Sequence, residues 1–146
     1  GLETPTSTDG GTLAPWLKEP DIAEDRPSFQ ETGVWLGKIP GMRPDHTTYP
    51  DLLEIMDIPD KSQATLTLKQ EYYPSIIKAK DRSIRDNQWK LIYQPITAGV
   101  DYQLFNVQDD PLCTTNVASQ FPDVLQKYKL LLDEWIFSDV LMSEEC

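Results

Sequence analysis

The residues able to do chemistry in this chain are few. His46 is the only histidine among 146 residues. A single imidazole excludes a histidine-rich metal centre and most Ser-His-Asp or Cys-His schemes within the chain. It lies in Arg43-Pro44-Asp45-His46-Thr47-Thr48-Tyr49, inside a Pro- and Gly-rich loop. Arg43 is the natural anion partner there, because a planar guanidinium meets sulfate or carboxylate oxygens through paired hydrogen bonds. Loops on a rigid scaffold often carry binding residues, which makes Arg43 and His46 candidate substrate-binding residues. An exposed loop histidine is the plain alternative. Arg82 and Arg85 read as partners for ion pairs or hydrogen bonds that seat a sheet.

Acidic groups number 24 against 13 basic ones, yet they show no metal-binding spacing. A hard cation takes about six or more oxygens converging from a defined loop. Asp109-Asp110 precedes Pro111 and reads as a turn, and Glu31 faces either a cleft or solvent. No catalytic residue and no metal ligand is assigned within the chain. The two cysteines, Cys113 and Cys146, set no framework, and a disulfide between them stays open.

The formal charge of −11 argues against nucleic acid and against anionic membrane surfaces as partners. No apolar run approaches membrane-spanning length. The opening residues, GLETPTSTDGG, have neither the basic start nor the apolar core of a signal peptide. They read as the middle of a longer or processed protein, so the lack of a signal says nothing about where that protein works.

The elements that must hold these residues centre on 82–111. Arg82–Arg85 and Gln88–Gln94 read as strands joined by Asp86-Asn87, a pair that tolerates the positive φ of a tight hairpin. Trp89, Leu91 and Tyr93 alternate with Lys90, Ile92 and Gln94, the period of a half-buried strand. Pro95 is expected to end it. A loop with Gly99 leads to a third strand, Tyr102–Val107. Arg26–Trp35, with Phe29, Glu31 and Gly33 on one side, is a fourth strand that a family resemblance implies.

Between these strands, 36–62 holds six Pro or Gly residues and reads as mostly irregular, with a helical turn or two in Tyr49–Met56. Ala64–Leu68 alternates as a short strand, and Glu71–Lys80 is a short helix with Pro74 in its first turn. From Gln120 to about Ser138, Phe121, Val124, Leu125, Tyr128, Leu131, Leu132, Trp135 and Ile136 recur at three- and four-residue steps. That is a helix with one apolar side. Ser119 is a candidate cap. The stripe needs a surface, and the sheet is the nearest. The expected fold is α+β: a small antiparallel sheet of about four strands covered by a long C-terminal helix. On this reading Trp89, Tyr93, Tyr102 and Trp135 are core rather than a sugar-stacking platform.

Taken in order, Arg82-Ser83-Ile84-Arg85, Trp89-Lys90-Leu91-Ile92-Tyr93 and the run from Tyr102 to Pro111 resemble the C-terminal region of the sulfatase family. Asp9-Gly10-Gly11-Thr12-Leu13-Ala14-Pro15-Trp16-Leu17-Lys18 is similar to a segment near the end of that family's catalytic domain. Gln103 and Asn106 stand where the family usually has Glu and Asp. Arg82 and Arg85 recur in the family pattern, and that resemblance makes Arg82 a third candidate for substrate contact. The resemblance implies residues 1–26 as the end of a catalytic-domain segment or linker, and 27–146 as the C-terminal subdomain.

It further implies a parent enzyme that hydrolyses sulfate esters through formylglycine and a divalent cation, usually calcium. Formylglycine arises within a Cys/Ser-x-Pro/Ala-x-Arg motif. Cys113 is followed by Thr114-Thr115-Asn116 and lacks the arginine, so nucleophile and calcium are expected in a missing N-terminal catalytic domain. That domain is the expected partner, and a sulfated small molecule or glycan the parent's substrate. Cut from its partner, the subdomain is expected to expose an apolar patch and self-associate. Such enzymes are mostly exported, which implies a periplasmic or extracellular location. Two other readings remain: a parent acting on phosphate or phosphonate esters, and a stand-alone non-catalytic binding module.

Overall fold

The alternation in Trp89–Tyr93 folds as an interior strand of a four-stranded antiparallel sheet. The computed structural model describes residues 14–18, 26–35, 37, 39–63 and 65–144, with side chains left undescribed at 15, 16 and 138–144. The elements in chain order are α1 (Ala14–Lys18), β1 (Ser28–Glu31), α2 (Leu52–Ile55), β2 (Met56–Asp60) and β3 (Thr65–Leu68). They continue with α3 (Tyr73–Lys78), β4 (Arg82–Arg85), β5 (Trp89–Ile96), β6 (Gly99–Asn106) and α4 (Pro122–Glu144). The main sheet has the order β1-β4-β5-β6, and β2 and β3 form a separate two-stranded ribbon. Residues 9–13 of the family-like segment that ends at Lys18 lie outside the described residues, as does Cys146 and with it any pairing to Cys113.

Helix α4 lies against β4 and β5, as its stripe requires. Tyr128 and Leu132, one turn apart, are buried with Ile84, Leu91 and Leu104 of the sheet. Trp89, Tyr93, Tyr102, Leu125 and Trp135 pack around that centre. Trp135 stacks on Phe29 with ring centroids 5.2 Å apart, which ties the helix to edge strand β1. The α+β architecture is therefore the one the periodicities imply. Helix α4 begins at Pro122, beyond Ser119, so Ser119 does not cap its first turn.

Four local expectations are corrected. The β4–β5 turn is built on Asn87-Gln88. Asp86 N–H donates to Trp89 O at 3.0 Å, and its carboxylate accepts from Gln88 N and Trp89 N at 2.9 and 2.7 Å. Those bonds replace positive φ, which Cys113 alone adopts among the described non-glycine residues. Second, β5 runs through Pro95 to Ile96. A residue's N–H and C=O share one side of a strand, and Pro95 O accepts from Thr47 N at 2.9 Å. The missing donor therefore faces the 45–47 loop, not β6, and the β5–β6 ladder survives. Third, β6 begins at Gly99, whose φ of +138° closes the hairpin in a conformation L side chains rarely adopt. Fourth, residues 56–60 form strand β2 despite Pro59. Its register against β3 slips between Asp57 and Asp60, where the proline leaves a gap in the ladder.

Candidate binding cleft

The loop from Trp35 to Leu52 bounds a cleft of about 500 Å³. Pairing with the sheet holds the loop in place. Strand β4 stops opposite Tyr93, so the last residues of β5 lack a β4 neighbour. The loop takes that position: His46 bridges Ile96, Thr47 N donates to Pro95 O, and Thr97 N donates to Asp45 O, both at 2.9 Å. Asp51 caps α2 by accepting from Leu53 N at 3.0 Å and Glu54 N at 3.3 Å. The loop thus runs from the sheet into a capped helical turn.

His46 is buried, at 4% exposure, and is not the exposed loop residue that the composition suggests. Its Nδ1 lies 2.6 Å from Thr47 O and its Nε2 2.7 Å from Asp81 Oδ1. Both ring nitrogens therefore face oxygen acceptors. The ring also meets Trp35 edge-on, centroids 5.1 Å apart. Asp81 is fixed in turn by Thr32: Thr32 N donates to Asp81 O at 2.9 Å, and Asp81 N donates to Thr32 Oγ1 at 3.0 Å.

Arg43 lines the same cleft with its anions already in place. Its Nε donates to Asp45 Oδ1 at 2.7 Å, Nη2 to Asp45 Oδ2 at 3.1 Å, and Nη1 to Asp101 Oδ2 at 2.5 Å. The guanidinium is held charged well above its ordinary range by the hydrogen bonds it donates to Asp45 and Asp101. Asp45 is held below the usual carboxylate range, chiefly by Arg43. Asp101 is held low first by Gln103 and then by Arg43.

Arg82 stands apart from this pair and borders a smaller hollow of about 210 Å³ with Asp81, Ser83 and Lys90. His46 and Asp81 thus face different hollows and bond between them. Arg82 itself is buried. It donates to Ile77 O at 3.0 Å and Lys80 O at 3.3 Å, at the C-terminal end of α3, and reaches Glu31 at 3.5 Å. A cation suits that end of a helix. Glu31 also pairs with Lys80. Arg43 and His46 share a wall, and Arg82 seats α3 against β1 and β4.

The Asp109-Asp110 turn spends its carboxylates on itself. Asp110 accepts from Thr114 N at 2.7 Å and Thr115 N at 2.8 Å, and these bonds hold its carboxyl low. Among the described residues, no cluster of three His, Cys, Asp or Glu side chains is placed to hold a metal ion. No helix among them is long and apolar enough to cross a membrane.

The cleft's apolar wall escaped the sequence reading. Trp35 and Tyr49 stack with centroids 5.3 Å apart, and Tyr49 O–H bonds the backbone of Trp35. Burial pushes the Tyr49 phenol up. Trp35 Nε1 is the one buried side-chain nitrogen or oxygen among the described residues that lacks a hydrogen-bond partner. Leaving such a donor unmade costs about 1–3 kcal/mol. The available signal was a pair of aromatics flanking a Pro/Gly loop, outside any apolar period. Comparison with family models, curated proteins and solved structures finds no match to this chain.

Proposed function

We propose that this chain is the C-terminal part of a sulfatase-family hydrolase, itself non-catalytic, which buttresses the catalytic domain and borders the substrate cleft. One observation carries the reading: the three family-like motif pieces coincide with β4, β5 and β6 in order, and the Asp-Pro pair with the turn that leaves the sheet. Isolated short motifs recur by chance, whereas three on consecutive antiparallel strands under one amphipathic helix form a supersecondary unit. In this reading formylglycine and a calcium-type divalent cation belong to the catalytic domain. They supply the nucleophile and neutralise the sulfate oxygens of a small-molecule or glycan ester. The enzyme works in the periplasm or outside the cell. Arg43, His46 and Arg82 act by holding the 39–50 loop, α3 and the sheet in mutual register.

The test is the coding sequence upstream of Gly1. The reading requires a Cys/Ser-x-Pro/Ala-x-Arg motif there; a different nucleophile motif points to a phosphate or phosphonate esterase parent. The isolated chain, incubated with an aryl sulfate and calcium, is expected to show no turnover. A second reading, a stand-alone binding module, draws support from the cleft, which one short stretch of this chain lines by itself. Light scattering separates the two: a cut subdomain associates, whereas a stand-alone module stays monodisperse.

A further inference from the structure

We propose that the outer edge of β3 accepts an extended basic segment of a partner protein as the third strand of the β2–β3 ribbon. The sulfatase-family reading makes no use of this ribbon, so the proposal stands apart from it. Two strands alone are marginal in water, and a third strand or a covering layer makes them stable. The tip of this ribbon is uncovered: Leu66 is 60% and Ile58 45% exposed. The two are neighbours, because Ile58 and Pro59 together stand opposite Leu66, between the Asp57–Thr67 and Asp60–Thr65 pairs.

The two edges of the ribbon differ. On β2 the Asp57 carboxylate accepts from Ile58 N at 2.8 Å, Pro59 has no N–H to offer, and Asp57 and Asp60 charge the strand. Charge and proline are what keep an edge from pairing. Strand β3, Thr65-Leu66-Thr67-Leu68, has no charge, proline or glycine. The groups it offers follow from the ladder. Lys69 N donates to Ile55 O at 2.8 Å, and a strand's N–H and C=O pairs change sides at each residue. Thr65 and Thr67 therefore face β2, and Leu66 and Leu68 turn their N–H and C=O outward. The same two leucines share a side-chain face. A chain laid along this edge meets backbone donors and acceptors together with an apolar strip, which is recognition by strand addition.

Charge decides the occupant. Residues 51–71 carry five carboxylates and two lysines, and Lys69 is engaged at Glu54 O. A second copy would set the same negative excess against itself, whereas a strand bearing Lys or Arg is drawn in. Asp57 and Asp60 pair with Thr67 and Thr65, so they share the face opposite the leucines. The fitting strand alternates, with apolar side chains on the Leu66 face and cationic ones on the other.

The experiment is a heteronuclear NMR titration of the full chain, at neutral pH and low salt, with short capped peptides. One alternates valine with lysine, a second valine with glutamate. The valine–lysine peptide is expected to bind at least about tenfold tighter and to move the Leu66 and Leu68 amides, and its advantage should shrink in about 1 M salt. Two further valine–lysine peptides carry N-methyl groups, one on every valine and the other on every lysine. Only one alternate set of peptide amides can face β3, so one of these should lose about tenfold or more and the other should bind as the unmethylated peptide does. Leu66→Lys charges the exposed edge and leaves the Thr65 and Thr67 ladder in place. It should keep the circular dichroism spectrum and weaken the valine–lysine peptide about tenfold.

Equal binding of the two charge types at low salt overturns the proposal. So does loss of affinity in both methylated peptides or in neither, or full affinity in Leu66→Lys. A dimer of the chain alone that Leu66→Lys dissociates would assign the edge to a second copy and overturn it equally. The motif upstream of Gly1 bears on none of these readouts, so the sulfatase-family reading stands or falls separately.

Discussion

His46 Nε2 lies 2.7 Å from Asp81 Oδ1, a hydrogen bond across 35 residues of sequence. It joins the 39–50 loop to the residue that leads into β4. His46→Ala would remove the ring's contacts to Asp81 and Thr47 O and open a void beside Trp35. The expected loss is about 2–4 kcal/mol of stability. Urea unfolding monitored by tryptophan fluorescence reads it. Asp81→Ala should cost less, because that carboxylate is part exposed, and the double mutant should be less than additive. A loss below about 0.5 kcal/mol in His46→Ala would mean the bond does not hold the loop.

Tyr128 O–H donates to the Asp86 carboxylate in the β4–β5 turn, so the centre of α4 is tied to the hairpin as well as packed on it. Tyr128→Phe keeps the ring and loses that bond, at an expected cost of about 1–2 kcal/mol. Leu132→Ala, at a fully buried position, should cost about 2–5 kcal/mol through lost contact and a residual cavity. If Leu132→Ala proved the milder change, the helix would not be held mainly by its apolar stripe. Chemical denaturation of both variants decides between these contributions.

Acid should loosen the cleft. Asp45 and Asp101 titrate below their ordinary value of 3.8 in the fold. Groups with lowered folded pKa stabilise at pH above the unfolded value, and that stabilisation is lost as pH falls through the folded value. Stability should therefore decline below about pH 3.8, and less steeply in Arg43→Met, where Asp45 loses its main partner and Asp101 its second. At the other extreme, burial pushes the Tyr102 phenol up to about 12. The unfolded chain ionises first, so stability should fall as pH rises from about 10 towards 12. Tyr102→Phe should flatten that limb. Thermal melts across pH, with both variants, check both signs.

Gly99 closes the β5–β6 hairpin at φ +138° with open space where a Cβ would stand. A side chain there meets no atom, only an unfavourable backbone. Gly99→Ala should cost about 1–3 kcal/mol without altering the packed core. Gly41, at φ +78° and equally open, should cost less, since the left-handed region is milder for alanine. Differential scanning calorimetry on both variants ranks them.

The sequence alone determined the α+β layering. Trp89, Leu91 and Tyr93 at period two, and Val124, Tyr128, Leu131 and Leu132 at helical steps, each specify an element and its buried side through neighbours only a few residues away. Local turn chemistry was half legible: Asp86 marks the hairpin, but it closes the turn by side-chain acceptance and not by positive φ. Tertiary structure alone decided the site. Whether Arg43 is free or spent depends on Asp101, 58 residues away, and whether His46 is exposed or buried depends on Asp81 and on a gap in β4's reach along β5. Periodicity encodes which face of an element is apolar. It carries no record of which distant carboxylate a loop meets, because that is set by how the strands are ordered and where each one stops.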